Sequence, residues 1–482
     1  MQRSHKWRGL AAALIVTAAV AAHADDRYEV KFGRTLQFRG GRVSVDNRFG
    51  DVKITTHDSS EVTVRALIRS SKPEIGQQIR IHATEGANGV SIRSEYPKKI
   101  NNVSYSVDFD IVMPANAPLV LSNRFGNVDV TGLGKPSEIT NGMGNVRLRS
   151  ADGKQTVENS FGAIDVEGVT GDLIVRNNNG SVRVKTVGGS AEVNNRFASV
   201  TVSGVKRGLV VRNANGTVDV RDVDGAATIV NSFANVQVQN VGGLLDVTNS
   251  NGRVDARQIG NKTTIKNSYG TVDAKNIGGA LVVTSNNSRV EARDVRGQAS
   301  ITTSFANVVA TTIGGTTTIN NNNGGITAQD IRGGLNATTR FGPVRAEHVQ
   351  QTVDVDNGNG SVTIKDIGGA ARVRTSFASA FVENVTGGVN VENSNGAISV
   401  KGLRGSGCHP VVLKTDFSSI RVGLPSSSGY DVNARTSFGR ITTDFPVTTT
   451  TAGDETLIGR IGNGRCRLEL VNSNGNITID KE

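Results

Sequence analysis

Between Ser122 and Gly396 the apolar and polar positions of this chain repeat every 18 residues, with no insertion or deletion. Each repeat has a turn apex, the first at Phe125 and the last at Asn395, and the apolar columns keep fixed distances from it. The third residue after the apex is Val or Ile, from Val128 to Ile398, with Ala380 the exception. The fifth is Val130, Leu148 or Val166 early on, Ala from Ala256 to Ala346, and Ile364 afterwards; the eighth is Val169, Val187, Val205 and their successors. The same spacing recurs nine residues later, as in Leu209 and Val211 after Val200 and Val202. Short alternating runs of this kind predict two strands per 18-residue rung, each rung stacked on the next. The prediction is an all-β parallel β-solenoid, and a strict period leaves no room for an inserted active-site loop.

The turns carry their own chemistry. The residue after the apex is Gly126, Gly144, Gly180 or Gly216 in typical rungs, which suits a sharp reversal at positive φ. Two residues before the apex runs a column of Asn123, Asn141, Asn159, Asn177, Asn195, Asn213, Asn231, Asn249 and Asn267, interrupted later by Ser285, Thr303, Thr339 and Thr375. At the spacing of stacked strands, about 4.8 Å, such a column predicts a ladder in which each amide bonds to the next.

The apex itself alternates: Phe161, Asn179, Phe197, Asn215, Phe233, Asn251, Tyr269, Asn287, Phe305. Six positions earlier, small residues precede aromatic apexes (Ala191, Ala227, Ala299, Ala371) and large ones precede Asn (Leu173, Leu209, Leu245, Leu281). That exchange predicts a 36-residue superrepeat in which the aromatic apex points inward and shares core volume with the residue at that position. A propeller of four-stranded units has the same 36-residue period, but its strands would occupy inequivalent positions, whereas here one pattern recurs at a shift of nine.

The ends differ from the middle. Residues 1–24 combine Arg3, Lys6 and Arg8 with an apolar stretch from Leu10 to Ala22 and Ala22-His23-Ala24, the pattern of a cleaved secretory signal. Export to the periplasm, the cell surface or the medium is therefore expected. The later chain contains no apolar span long enough for a membrane helix. Residues 25–121 lack the 18-residue period and predict a β-rich amino-terminal cap, although Asn47-Arg48-Phe49-Gly50 repeats Asn123-Arg124-Phe125-Gly126. Residues 122–404 form the repeats, and residues 405–482 predict a carboxyl-terminal cap, since open solenoid ends are unpaired edges. The two cysteines, Cys408 and Cys466, both fall in that last segment and in an exported chain predict a disulfide. The formal net charge of +11 falls by three once the first 24 residues are removed.

The run Asp108-Phe109-Asp110-Ile111-Val112-Met113-Pro114, the turn Asn123-Arg124-Phe125-Gly126-Asn127-Val128 and the late Thr436-Ser437-Phe438-Gly439-Arg440-Ile441 resemble a bacterial putative-adhesin family of unknown function. The resemblance covers most of the chain beyond residue 24. It implies an exported β-solenoid and brings no catalytic residues with it.

Candidate chemistry is sparse. His57, His82, His348 and His409 stand far apart without ligand spacing, so no metal site is expected. A calcium β-roll would need an Asp in each glycine turn, where this chain has Asn127, Asn145, Ala163, Ser181 and Ser199. No cofactor is expected. A β-helix enzyme acting on a polysaccharide is the alternative of another class, but the outward Asp219, Asp255, Asp273 and Glu291 alternate with Arg221, Arg257, Lys275 and Arg293 as a paired, solvated surface would. Outward basic residues concentrate at Arg176, Arg183, Lys185, Arg196, Lys206, Arg207, Arg212 and Arg221. Read as one face, they would meet an anionic glycan, a lipid headgroup or another envelope component. Nucleic acid is not expected, because no aromatic residues interleave with them. The expected function is that of a non-catalytic structural or adhesin-like surface in the cell envelope.

Overall fold

The computed structural model describes residues 28–98, 102–405, 407–427 and 429–482. The secretory pattern at residues 1–24 lies outside them. The fold is all-β, a parallel β-solenoid of about 17 turns with rungs of about 18 residues. The described residues divide into two compact units, one up to residue 212 and one from residue 213.

In the first unit each rung contributes one strand leading to the apex and one trailing from it. Leading strand Leu173–Asn179 pairs in parallel and in register with Gln155–Phe161 and Ala191–Phe197. Trailing strand Val182–Val187 pairs likewise with Ile164–Val169 and Val200–Val205. The leading strands bury alternate residues, as Leu173, Val175 and Asn177, against Val182, Val184 and Val187 of the trailing strands. The two sheets thus face each other across a thin core of Val, Ile, Leu and Ala, and their outward residues point in opposite directions. The second unit repeats this, with Ala227–Phe233 on Leu245–Asn251 and Val236–Val241 on Val254–Ile259.

The trailing strand explains why apolar positions fall three, five and eight residues after the apex. Strict alternation would put the third inward residue at seven. Instead the residue at that position is left-handed: Ser150 (φ 51°), Thr186 (58°), Gln258 (57°), Thr312 (58°) and His348 (54°), among others. One such residue shifts the parity and turns the strand's end inward, so that Val187 or Ile313 is buried behind it.

At the apex, glycine is required by a neighbour as well as by φ. Gly180 sits at φ 139°, and a Cβ there would fall 2.1 Å from the carbonyl oxygen of Gly162 on the preceding rung.

Both caps depart from the repeat. Strands Arg42–Phe49 and Val52–His57 pair in parallel with Leu119–Phe125 and Val128–Thr131, forming one further rung with Phe49 opposite Phe125. Beyond it the trailing sheet continues through Tyr105–Pro114 to Glu61–Ser70 and Tyr28–Gln37, the last two pairings antiparallel. At the other end the chain doubles back: Cys466–Asn474 inserts between Val411–Phe417 and Tyr430–Arg435, parallel to both. The sheet edge there is finished by the antiparallel strands Thr456–Ile461 and Val447–Ala452.

The inward aromatic column expected from the sequence is not what forms. Phe161, Phe233, Tyr269, Phe305, Phe341 and Phe377 are all about half exposed or more. The last inward place belongs to the residue two positions earlier, Asn in most rungs and Ser or Thr in the others, and Asn123, Asn141, Asn231 and Asn357 are fully buried. Turn carbonyls of adjacent rungs converge there and need donors, which a ring cannot supply. Asn177 Nδ2 donates to Gly162 O at 3.2 Å and to Gly180 O at 2.9 Å. The alternation of Leu and Ala six residues before the apex belongs to its own column: Leu173 lies beside Ala191, Ala227 beside Leu245, and Leu281 beside Ala299. Large side chains fill the space left by small neighbours on adjoining rungs, and the rings take no part.

Candidate binding surfaces

The eight basic residues expected to share a face do not. Arg176 lies on leading strand Leu173–Asn179 and Arg212 on Leu209–Asn215, whereas Arg183 and Lys185 lie on trailing strand Val182–Val187. Arg196 is beside the apex, Lys206 and Arg207 occupy the opposite turn, and Arg221 is on trailing strand Val218–Val223 of the second unit. Neighbours in sequence are thrown onto opposite sheets because the chain reverses every nine residues or so. Several are also engaged: Arg176 with Glu158 at 2.7 Å, Lys185 with Glu167 at 2.9 Å, Arg212 with Glu192 at 3.2 Å and Arg221 with Asp219 at 3.0 Å. The hydrogen bond from Lys185 holds the Glu167 carboxyl below its usual range. The guanidinium of Arg196 lies over the Phe197 ring at 5.4 Å.

A pocket of about 650 Å³ opens on the outer surface of the amino-terminal trailing sheet, lined by Lys31, Lys53, Asp51, Asp108, Asp110 and Asp129 among others. Its carboxylates are committed to the fold. Asp108 accepts the Asp51 N–H at 3.0 Å and pairs with Arg69, Asp51 accepts the Asn127 N–H at 2.7 Å, and Asp110 faces Arg65 at 3.9 Å. Among the described residues no group of three or more His, Cys, Asp or Glu side chains is placed to hold a metal ion. His348 stands in its column between Asp330 at 3.2 Å and Asp366 at 3.6 Å, largely in solvent. Cys408 and Cys466 are joined as a disulfide.

A further surface feature is the column the sequence placed inside. Along the apex edge of the second unit, strand pairing puts Phe233 opposite Asn251, Asn251 opposite Tyr269 and Tyr269 opposite Asn287. Bridges then place Phe305 opposite Asn323 and Asn323 opposite Phe341. Aromatic rings therefore recur every second rung, about 9.6 Å apart, with an Asn between each pair. Only exposure distinguishes this edge from a core column, and no sequence period reports exposure.

No family model matches this chain, and no curated protein does. Among solved structures it is similar to bacterial adhesin candidates of unknown function. One is a putative cell adhesion protein from Clostridium sporogenes, 13% identical with a TM-score of 0.20, covering 46% of this chain and 100% of that one. Another is a putative adhesin from Bacteroides fragilis, 13% identical with a TM-score of 0.18, covering 53% of this chain and 96% of that one.

Proposed function

We propose that this chain is an exported, non-catalytic β-solenoid that works through its surface, as an adhesin-like or structural binding element of a bacterial envelope. The observation that carries the reading is the exposed aromatic edge. Soluble monomers rarely leave a long row of apolar side chains in water unless something binds it. The regular interior supports the same view, because stacked rungs with a common core pattern let the outward residues vary without disturbing the core. Export rests on the secretory pattern of residues 1–24 and accords with the Cys408–Cys466 disulfide. The carboxylates of the amino-terminal pocket already serve backbone donors and arginines, which favours a structural role for them over acid–base chemistry. Among the described residues no helix is long and apolar enough to cross a membrane.

The test is binding of labelled residues 25–482 to a glycan array, to anionic vesicles and to isolated envelope fractions. Saturable binding to any of them is the expected result. A folded protein that binds none would leave a purely mechanical scaffold and overturn the adhesin-like reading.

A further inference from the structure

The apex edge of the second unit has a chemistry that narrows the ligand, and this step rests on the binding reading above. From two residues before to two residues after each apex, between Asn231 and Ser379, the edge contains no Asp or Glu. It consists of aromatic rings, Asn, Ser, Thr, Gly, Ala and Pro, with only Arg253, Arg289 and Arg340 charged. Arg253 is held by Asp273 at 3.0 Å and Arg289 by Glu291, both carboxylates lying on the trailing sheet beside the edge. The carboxylates that stand on the two sheet faces are therefore absent from this strip, and its charge is limited to these three arginines.

We infer that Phe233, Tyr269, Phe305, Phe341 and Phe377 form a binding track for an extended β-1,4-linked polysaccharide. Flat rings standing in solvent offer stacking surfaces to the apolar C–H faces of pyranoses, and the amides and hydroxyls between them offer donors and acceptors to sugar hydroxyls. The register decides for a polymer. A β-1,4-linked chain turns alternate residues over, so equivalent pyranose faces recur once per disaccharide. Two rungs of this solenoid, about 9.6 Å, come within about a tenth of the length of such a disaccharide. The five rings span eight rungs, roughly 38 Å, which many sugars would occupy at once. Each contact would be weak, and a long track compensates through simultaneous engagement.

Two other occupants fit less well. Single-stranded nucleic acid would require a cation near each phosphate, and this strip has three arginines, two already paired. A lipid surface would have to desolvate the half-exposed Asn251, Asn323 and Asn359 between the rings.

The test uses residues 25–482 and five probes: cellohexaose, chitohexaose, dextran as an α-linked control, oligothymidylate, and vesicles of phosphatidylcholine with phosphatidylglycerol. Titration calorimetry and affinity electrophoresis are run on the wild type, on Tyr269→Ala, Phe305→Ala and Phe341→Ala, and on their triple combination. Because these rings are exposed, circular dichroism and the thermal midpoint are expected to stay at wild-type values, which separates lost binding from lost folding. Binding of one hexasaccharide but not of dextran, weakened roughly two- to tenfold by each single change and abolished by the triple, is the expected result. Phe305→Tyr should retain it. Hexasaccharide binding unchanged in the triple variant would overturn the track while leaving the adhesin-like reading in place. Ring-dependent binding only to oligothymidylate or vesicles would overturn the polysaccharide assignment. No binding to any probe would overturn it too, and the array and envelope fractions would then decide the broader reading.

Discussion

The ring of Phe49 lies stacked on that of Phe125, with 5.2 Å between centroids and 8° between planes. Tyr96 and Tyr105 meet Phe49 edge-on at 5.2 and 4.9 Å. These are the same apex positions that stand open in the second unit. Near the amino terminus two aromatic apexes fall on adjacent rungs and cap tyrosines pack on Phe49, whereas in the second unit an Asn separates every pair.

That cluster makes an alkaline limit to cap stability. Burial raises the Tyr96 phenol above its ordinary value near 10, and hydrogen bonds with Ser94 and the Phe49 backbone only partly oppose this. The folded state therefore holds the proton more tightly than the unfolded one. Its contribution is complete below the ordinary phenol range and is lost as pH rises through the raised value. Urea midpoints measured from neutral pH to pH 11 should fall at the alkaline end, less steeply in Tyr96→Phe, with tyrosinate absorbance reporting the titration. Equal slopes in the two proteins would refute this account.

The buried Asn column is expected to stabilise through its donors. Asn141 Nδ2 bonds Gly126 O and Gly144 O, each at 3.2 Å, and Asn159 Oδ1 at 3.3 Å, while its own Oδ1 accepts from Asn123 at 3.1 Å. Asn141→Ala should cost about 1–3 kcal/mol. The exposed Asn178→Ala should stay within about 0.5 kcal/mol of wild type. Chemical denaturation of both variants gives the comparison.

Interdigitation between rungs can be tested by exchange. Leu281→Ala should cost about 2–5 kcal/mol. Ala299→Leu should cost about 1–3 kcal/mol through overpacking. Since the two residues are register partners, the double variant should be more stable than the sum of the single costs predicts. Strict additivity in a double-mutant cycle would show that they do not share space.

Thr312 is a β-branched residue held at φ 58°, in a column where neighbouring rungs place Asp294, Asp330 and Asn276. Asn tolerates the left-handed region better than Thr does. Thr312→Asn should raise stability by up to about 1 kcal/mol, read as a shifted urea midpoint at unchanged slope. Thr312→Val should not.

Much of this architecture was legible in the chain. Local rules suffice for strands, turns and stacking: alternation marks inward residues, glycine marks the reversal, and an unbroken 18-residue period forces each rung onto the last in register. Even the odd spacing of three, five and eight was visible, though not its cause in a single left-handed residue.

Three things required the folded backbone. Parity along Leu173, Val175, Asn177 and Asn179 would send the apex inward, but the chain has begun to turn at Asn179, and the place inside goes to the residue that can satisfy the turn carbonyls. The basic residues from Arg176 to Arg221 form one cluster in sequence and scatter over two opposed sheets, because each half-rung reverses the chain. Cys466–Asn474 slips between strands earlier in sequence than itself, a pairing no period announces. Periodicity determined which residues form a column; where that column faces was decided by the direction of the backbone at its turns and by which buried polar groups had to be satisfied.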